Sequence, residues 1–128
     1  MKLRKILINL AAISIIWGTV GFARQIGTLD HFRLGPWQEI QYTNYLTKSI
    51  SDAPWVINIT ELSNASSVHT YLCNSYHERR SDYAIVSVGR HEINSFGKAG
   101  YQYCALLMNG DSKLFSGYVT GTWSPDNR

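Results

Sequence analysis

The strongest constraint on the fold is a period-two alternation of apolar and polar residues, with helical periodicity barely present. In Trp55-Val-Ile-Asn-Ile-Thr60 the alternation puts Trp55, Ile57 and Ile59 on one face. Val68 to Asn74 sets Val68, Thr70 and Leu72 against His69, Tyr71 and Cys73. Tyr83 to Gly89 is a β-branched run, and Trp37–Thr43, Tyr101–Met108 and Lys113–Trp123 bring the expected strands to six. Turn-formers separate them at Asp52-Ala-Pro54, Ser63–Ser67, Gly97–Gly100 and Asn109–Ser112. Asn109-Gly110 tolerates positive φ, so the last two runs are expected to form a hairpin with a type I′ turn. Asn44 to Ser51 offers room for one or two helical turns at most, and Arg24 to Gly35 reads as an ordered arm or a flexible lead-in. The expected fold is all-β, a small antiparallel β-sandwich or barrel of about six strands.

The amino terminus has a different character. Met1-Lys-Leu-Arg-Lys5 is cationic, Ile6 to Val20 is almost continuously apolar, and Gly21-Phe-Ala23 supplies small residues at the −3 and −1 positions of a cleavage site. This is the layout of a secretory signal peptide over residues 1–23, followed by a single β-rich secreted domain over 24–128. The competing reading is an uncleaved anchor, but Asn9 interrupts the run and no basic stop-transfer cluster follows it. A secreted or periplasmic location follows, with membrane contact only during export. Losing Lys2, Arg4 and Lys5 from 12 basic residues leaves nine, against nine acidic residues, so the processed chain is formally neutral. Nucleic-acid binding needs clustered positive charge, and the one basic doublet, Arg79-Arg80, is flanked by Glu78 and Asp82. Nucleic acid is therefore not an expected partner.

Cys73 and Cys104 both remain after processing. In an oxidising compartment two cysteines are expected to form one disulfide, closing a loop worth about 3–4 kcal/mol if its geometry is unstrained. A metal or nucleophile site built on them has no support, since neither a CxxC nor a His-x₃-His spacing occurs.

Chemistry-bearing residues concentrate in Tyr71 to Glu92, "YLCNSYHERRSDYAIVSVGRHE". If strands flank it, Ser75 to Asp82 is the polar tip joining them, which is what a loop running through water requires. A catalytic reading would make His77 the general base, with Glu78 and Arg79 orienting or stabilising charge and His69 or His91 converging from neighbouring strands. Adjacent residues on a strand point to opposite faces, so His77 and Glu78 cooperate only in an irregular tip. A zinc site from His69, His77, His91 and Glu92 has no spacing that requires it. No HExxH, GxSxG or Gly-rich phosphate loop occurs, and no catalytic residue, metal or cofactor is assigned. Asn58-Ile-Thr60 and Asn64-Ala-Ser66 match the glycosylation triplet, which acts only in a eukaryotic secretory pathway.

The aromatic residues carry more information. Trp37, Trp55, Trp123 and Phe115 are expected in the core. The tyrosines are harder to bury together, since each hydroxyl needs a partner, and beside Asn, Ser and Gly they make an adaptable binding surface of the kind that stacks sugar rings. The expected binding residues are Tyr76, His77, Arg79, Tyr101, Tyr103 and Tyr118.

From about Val68 to Trp123, the order "YLCNSYHERRSDYAIVSV", then "GKAGYQY", then a Tyr/Trp-rich closing strand resembles the lactococcin-type secreted bacteriocins. The resemblance implies a small signal-bearing β-sandwich directed at cell-wall assembly. Arg24 to Pro54 has no counterpart in that pattern, a Cys73–Cys104 bridge is not its hallmark, and no functional residue carries across.

The expected function is a non-enzymatic exported module that binds an extracellular protein, a glycan or a cell-envelope component. The alternatives are a small secreted toxin or bacteriocin-like protein, and a compact secreted ribonuclease-type hydrolase using His77 or His69.

Overall fold

The computed structural model describes residues 23–128, so the expected signal peptide lies outside the described residues except for Ala23. The described chain is all-β, with nine strands: β1 (Gly27–Leu34), β2 (Gln41–Tyr42), β3 (Leu46–Thr47), β4 (Trp55–Ser63), β5 (Val68–Cys73), β6 (Ala84–Val86), β7 (Gly89–Ile93), β8 (Gln102–Asn109) and β9 (Gly117–Ser124). They form two antiparallel sheets, one in the order β1-β9-β4-β7 and the other β2-β8-β5-β6, with β3 also on β8.

The alternation read from the sequence decides which sides meet. Trp55, Ile57 and Ile59 of β4 and Val119 and Trp123 of β9 face Val68 and Leu72 of β5 and Ala105 and Leu107 of β8 in one buried cluster. This is sandwich packing: each sheet hides one face against the other. Trp55 and Trp123, both buried, meet edge-on with ring centroids 6.5 Å apart. At full burial each such side chain contributes about 2–3 kcal/mol of transfer free energy. Where β4 bulges past β9 between Ile59 and Glu61, the partner is Gly121, and a Cβ there would lie 1.9 Å from the Asn58 carbonyl oxygen. Only glycine permits that approach.

Several expectations are corrected. Residues 109–117 do not form a hairpin: β8 pairs with β5 and β2, β9 with β1 and β4, so the segment crosses between sheets. Asn109 is buried, its Nδ2 donating to Asn64 O at 3.1 Å and its Oδ1 accepting from Asp111 N at 2.9 Å. Gly110 is outside the positive-φ set and is needed because a Cβ would lie 2.0 Å from Ser67 Oγ. Tyr83 to Gly89 is not one strand. β6 ends at Val86 in the second sheet, and β7 begins at Gly89 in the first. Asn44 to Ser51 holds β3 rather than a helix, and Arg24 to Gly35 contains the edge strand β1. Trp37 and Phe115 are exposed, 64% and 73%: Trp37 lies in a short 3-10 turn, Pro36–Gln38, and Phe115 in the segment joining β8 to β9.

Lys48 follows β3 and is fully buried, and it joins that region to the chain's end. Its Nζ donates to Ala53 O at 2.7 Å and Pro125 O at 2.5 Å, and lies 3.2 Å from Asp126 Oδ1. Asp126 also accepts from Ser49 N at 2.7 Å and Ile50 N at 3.1 Å. Burial lowers the Lys48 pKa from its ordinary value, with Asp126 opposing the shift. Both charges are thus paired and their remaining hydrogen-bonding capacity largely used, the condition under which a buried ion pair is tolerable.

Candidate functional site

The second sheet and the hairpin that follows β5 carry most of the residues that sequence reading singled out. Alternation turns Tyr71 and Cys73 of β5 and Cys104, Leu106 and Met108 of β8 away from the main core. They nevertheless form a second buried cluster, in which Cys73, Cys104 and Leu106 are covered by Tyr42, Tyr71 and Met108. Burial is the first cause raising the pKa of both Tyr42 and Tyr71 above the ordinary phenol value. The expected disulfide is not formed: the thiols are free and their sulfurs are 3.1 Å apart, against about 2.05 Å for a bond.

The tip is tighter than its sequence suggested. His77 N donates to Asn74 O at 2.9 Å, closing a turn, and Asn74 Oδ1 accepts from both Tyr76 N (3.0 Å) and Glu78 N (2.9 Å). One asparagine side chain therefore organises the whole reversal. Cys73 bridges to Arg79, so the chain turns back directly after β5. His77 takes φ 60°, the left-handed residue that ends a three-residue hairpin loop. Its ring stacks on Tyr42 with centroids 3.7 Å apart, and its Nε2 shares a 3.1 Å hydrogen bond with Tyr45 Oη. The imidazole is exposed on one side only and lies folded over the sheet.

The reversal leaves a groove of about 350 Å³ lined by Asn74, Ser75, Tyr76, Arg80, Lys98, Tyr101, Gln102 and Tyr103. One wall is the hairpin after Cys73; the other is the chain leading into Cys104. Tyr76 and Tyr101 are 84% and 67% exposed. Tyr103 is buried and its hydroxyl accepts from Lys98 N at 2.7 Å, which fixes the segment carrying the second wall. Gly97 lies against it, where a Cβ would meet the Tyr103 ring at 2.9 Å. Phe96 N donates to Arg80 O at 2.9 Å, tying the walls together below the opening. Two cations line the groove and no carboxylate does. Their counter-charges lie outside it: Glu78 is 3.3 Å from Arg80, and Asp52 is 2.9 Å from Lys98.

Of the six residues expected to bind, Tyr76, Tyr101 and Tyr103 line this groove. His77 and Arg79 belong to the same hairpin but face elsewhere; Arg79 lies over the Phe96 ring at 5.8 Å and donates to Ser81 O at 2.6 Å. Tyr118 is on β9 in the other sheet, stacked on His31 with centroids 4.0 Å apart. Sequence reading missed Asn74, Ser75, Arg80, Lys98 and Gln102, because their convergence depends on the pairing of β5 with β8, which no local pattern specifies. The four histidines have separate partners: His69 hydrogen-bonds Tyr83, His91 lies 2.8 Å from Ser87 O, and His31 and His77 stack on different tyrosines. Among the described residues no three His, Cys, Asp or Glu side chains converge on a point suited to a metal ion.

Comparison of the chain with protein-family models, with curated proteins and with solved structures finds no match, so the groove is interpreted from its own residues.

Proposed function

We propose that this protein is an exported, non-enzymatic binding module that holds a glycan of the extracellular space or cell envelope in the groove between Tyr76 and Tyr101. The observation that carries the reading is the pair of exposed phenol rings flanking a concave surface whose other lining groups are amide, hydroxyl and cationic. A sugar ring offers an apolar C–H face to an aromatic ring and hydroxyls to its rim. Asn74, Ser75 and Gln102 supply matching donors and acceptors. Tyrosine brings this contact area at low entropic cost, since only two torsions are fixed. Export is supported by the cationic and apolar character of residues 1–23.

The test is a glycan array probed with the processed protein and with Tyr76→Ala and Tyr101→Ala variants. Both rings are exposed, so each variant should keep the parent's unfolding free energy within about half a kcal/mol. Binding lost in both variants supports the groove. An array without any ligand, combined with capture of a protein from the cell envelope that survives Tyr101→Ala, would overturn the reading.

A further inference from the structure

We infer that the groove selects acidic saccharides, those bearing a carboxylate, over neutral ones. The inference rests on the glycan reading above and specifies its ligand class. Arg80 comes from the hairpin wall and Lys98 from the wall that leads into β8, so positive charge enters from both sides, while none of the eight lining residues is acidic. Both cations are already positioned. Arg80 Nη1 donates to Arg79 O at 2.9 Å, and its backbone carbonyl accepts from Phe96 N, so the guanidinium stands on an anchored segment. Lys98 has its backbone fixed through Tyr103 Oη.

The existing partners do not satisfy these cations in a way that would exclude a ligand. The Arg80–Glu78 and Lys98–Asp52 pairs are exposed, and exposed pairs contribute little and exchange readily. A ligand carboxylate seated between the tyrosine rings would be partly removed from water, and there the same guanidinium makes a stronger, charge-assisted bond. The planar Arg80 fork suits a carboxylate bidentately, whereas Lys98 acts as a point charge that adds attraction without geometric demand. A neutral sugar would gain the stacking and the hydroxyl contacts but no charge-assisted bond to either cation.

The experiment titrates the processed protein with two matched pairs, trigalacturonic acid against its methyl ester and sialyllactose against lactose, at low and at raised salt. An acid member should bind about tenfold or more tightly than its neutral counterpart, and the preference should shrink as salt rises. Arg80→Gln and Lys98→Gln should each remove several-fold of the preference while leaving the circular dichroism unchanged, and Tyr101→Ala should weaken acid and neutral ligands alike. Equal affinity within both pairs, unaltered in Arg80→Gln, overturns the acidic preference and leaves the glycan reading standing. Failure of all four ligands, alongside an array with no bound glycan, overturns the glycan reading and this inference with it.

Discussion

Cys73 and Cys104 are directly opposite each other on β5 and β8, and the chain next to each of them continues into one wall of the groove. Their backbone groups face each other. Leu72 spends its carbonyl on Arg80 N and its N–H on Ser81 Oγ, and Ala105 spends both groups on Thr43, all on the far sides of the two strands. One residue along each pleat, Cys73 and Cys104 form a hydrogen-bonded pair. Cβ atoms in such a pair lie toward the wide end of about 4.5–5.5 Å, whereas a relaxed disulfide holds them near 3.8 Å.

Oxidation of this pair is therefore expected to form a bond with stored strain. Export to an oxidising compartment should make the protein about two daltons lighter than its reduced form. The stabilisation should fall short of the ~3.5 kcal/mol that loop closure alone would supply. The hydrogen bond with Cys104, and burial, raise the Cys73 thiol above its ordinary pKa. Thiol counts after denaturation, taken at graded dithiothreitol concentrations, measure this. Two alkylatable thiols in fully air-oxidised, unfolded protein would refute the bond, and resistance to millimolar reductant would refute the strain.

Asp126→Asn should cost about 3–5 kcal/mol at neutral pH, because it leaves the Lys48 ammonium buried without its counter-ion. The pH dependence has a definite sign. The folded pKa of Lys48 lies below the unfolded value, so between the two the unfolded chain binds more protons and stability rises with pH. Without Asp126 that folded pKa falls further, and the defect should shrink as pH climbs toward 10.5. Urea unfolding of both proteins across pH 7 to 10 checks this; a defect that stays constant across the range would count against it.

The sheet faces were legible in sequence because burial on one side imposes a period of two, and Trp55, Ile57, Ile59, Val68 and Leu72 obey it. Strand partners were not legible. Asn109-Gly110 has the composition of a tight turn, yet here Asn109 is a buried joint and Gly110 makes room for Ser67, two roles that depend on chain distant in sequence. The switch of sheets between Val86 and Gly89 is likewise invisible inside one β-branched run. Exposed Trp37 shows the limit of residue type: its φ of 57° and its N–H bond to Lys113 O are set by the opposing loop. In the groove the tyrosines were visible by type, but Arg80 and Lys98 became site residues only through the pairing of β5 with β8.

The crossing after β8 yields a further prediction. Asn109→Ala should cost about 1–2 kcal/mol, since Asn64 O and Asp111 N both lose their partner in a part-buried setting. On the same crossing the Ser66 hydroxyl and N–H hold the Asp111 carboxyl below its ordinary pKa. Its contribution is thus complete above the unfolded value of 3.8 and is lost as pH falls through the folded one. Parent and Asp111→Asn proteins should differ at neutral pH and converge under acid. Parallel acid-unfolding curves would argue against it.

His77 is the residue whose role changes most between sequence and structure. Rather than standing free in solvent, it stacks on Tyr42, bonds Tyr45 and takes a left-handed backbone conformation that costs a non-glycine residue about 1 kcal/mol. His77→Ala loses both contacts and keeps the strain, so about 1 kcal/mol of stability should disappear. His77→Gly loses the same contacts but sheds the strain, and should lie close to the parent. The gap between the two variants isolates the backbone term. Because the imidazole is outside the groove lining, neither change should alter trigalacturonate affinity by more than about twofold. Cleavage of RNA by the parent that falls about a hundredfold in His77→Ala would instead restore the catalytic reading. With His69 committed to Tyr83 and His91 held at Ser87, His77 has no second histidine as acid–base partner, and no cleavage is expected.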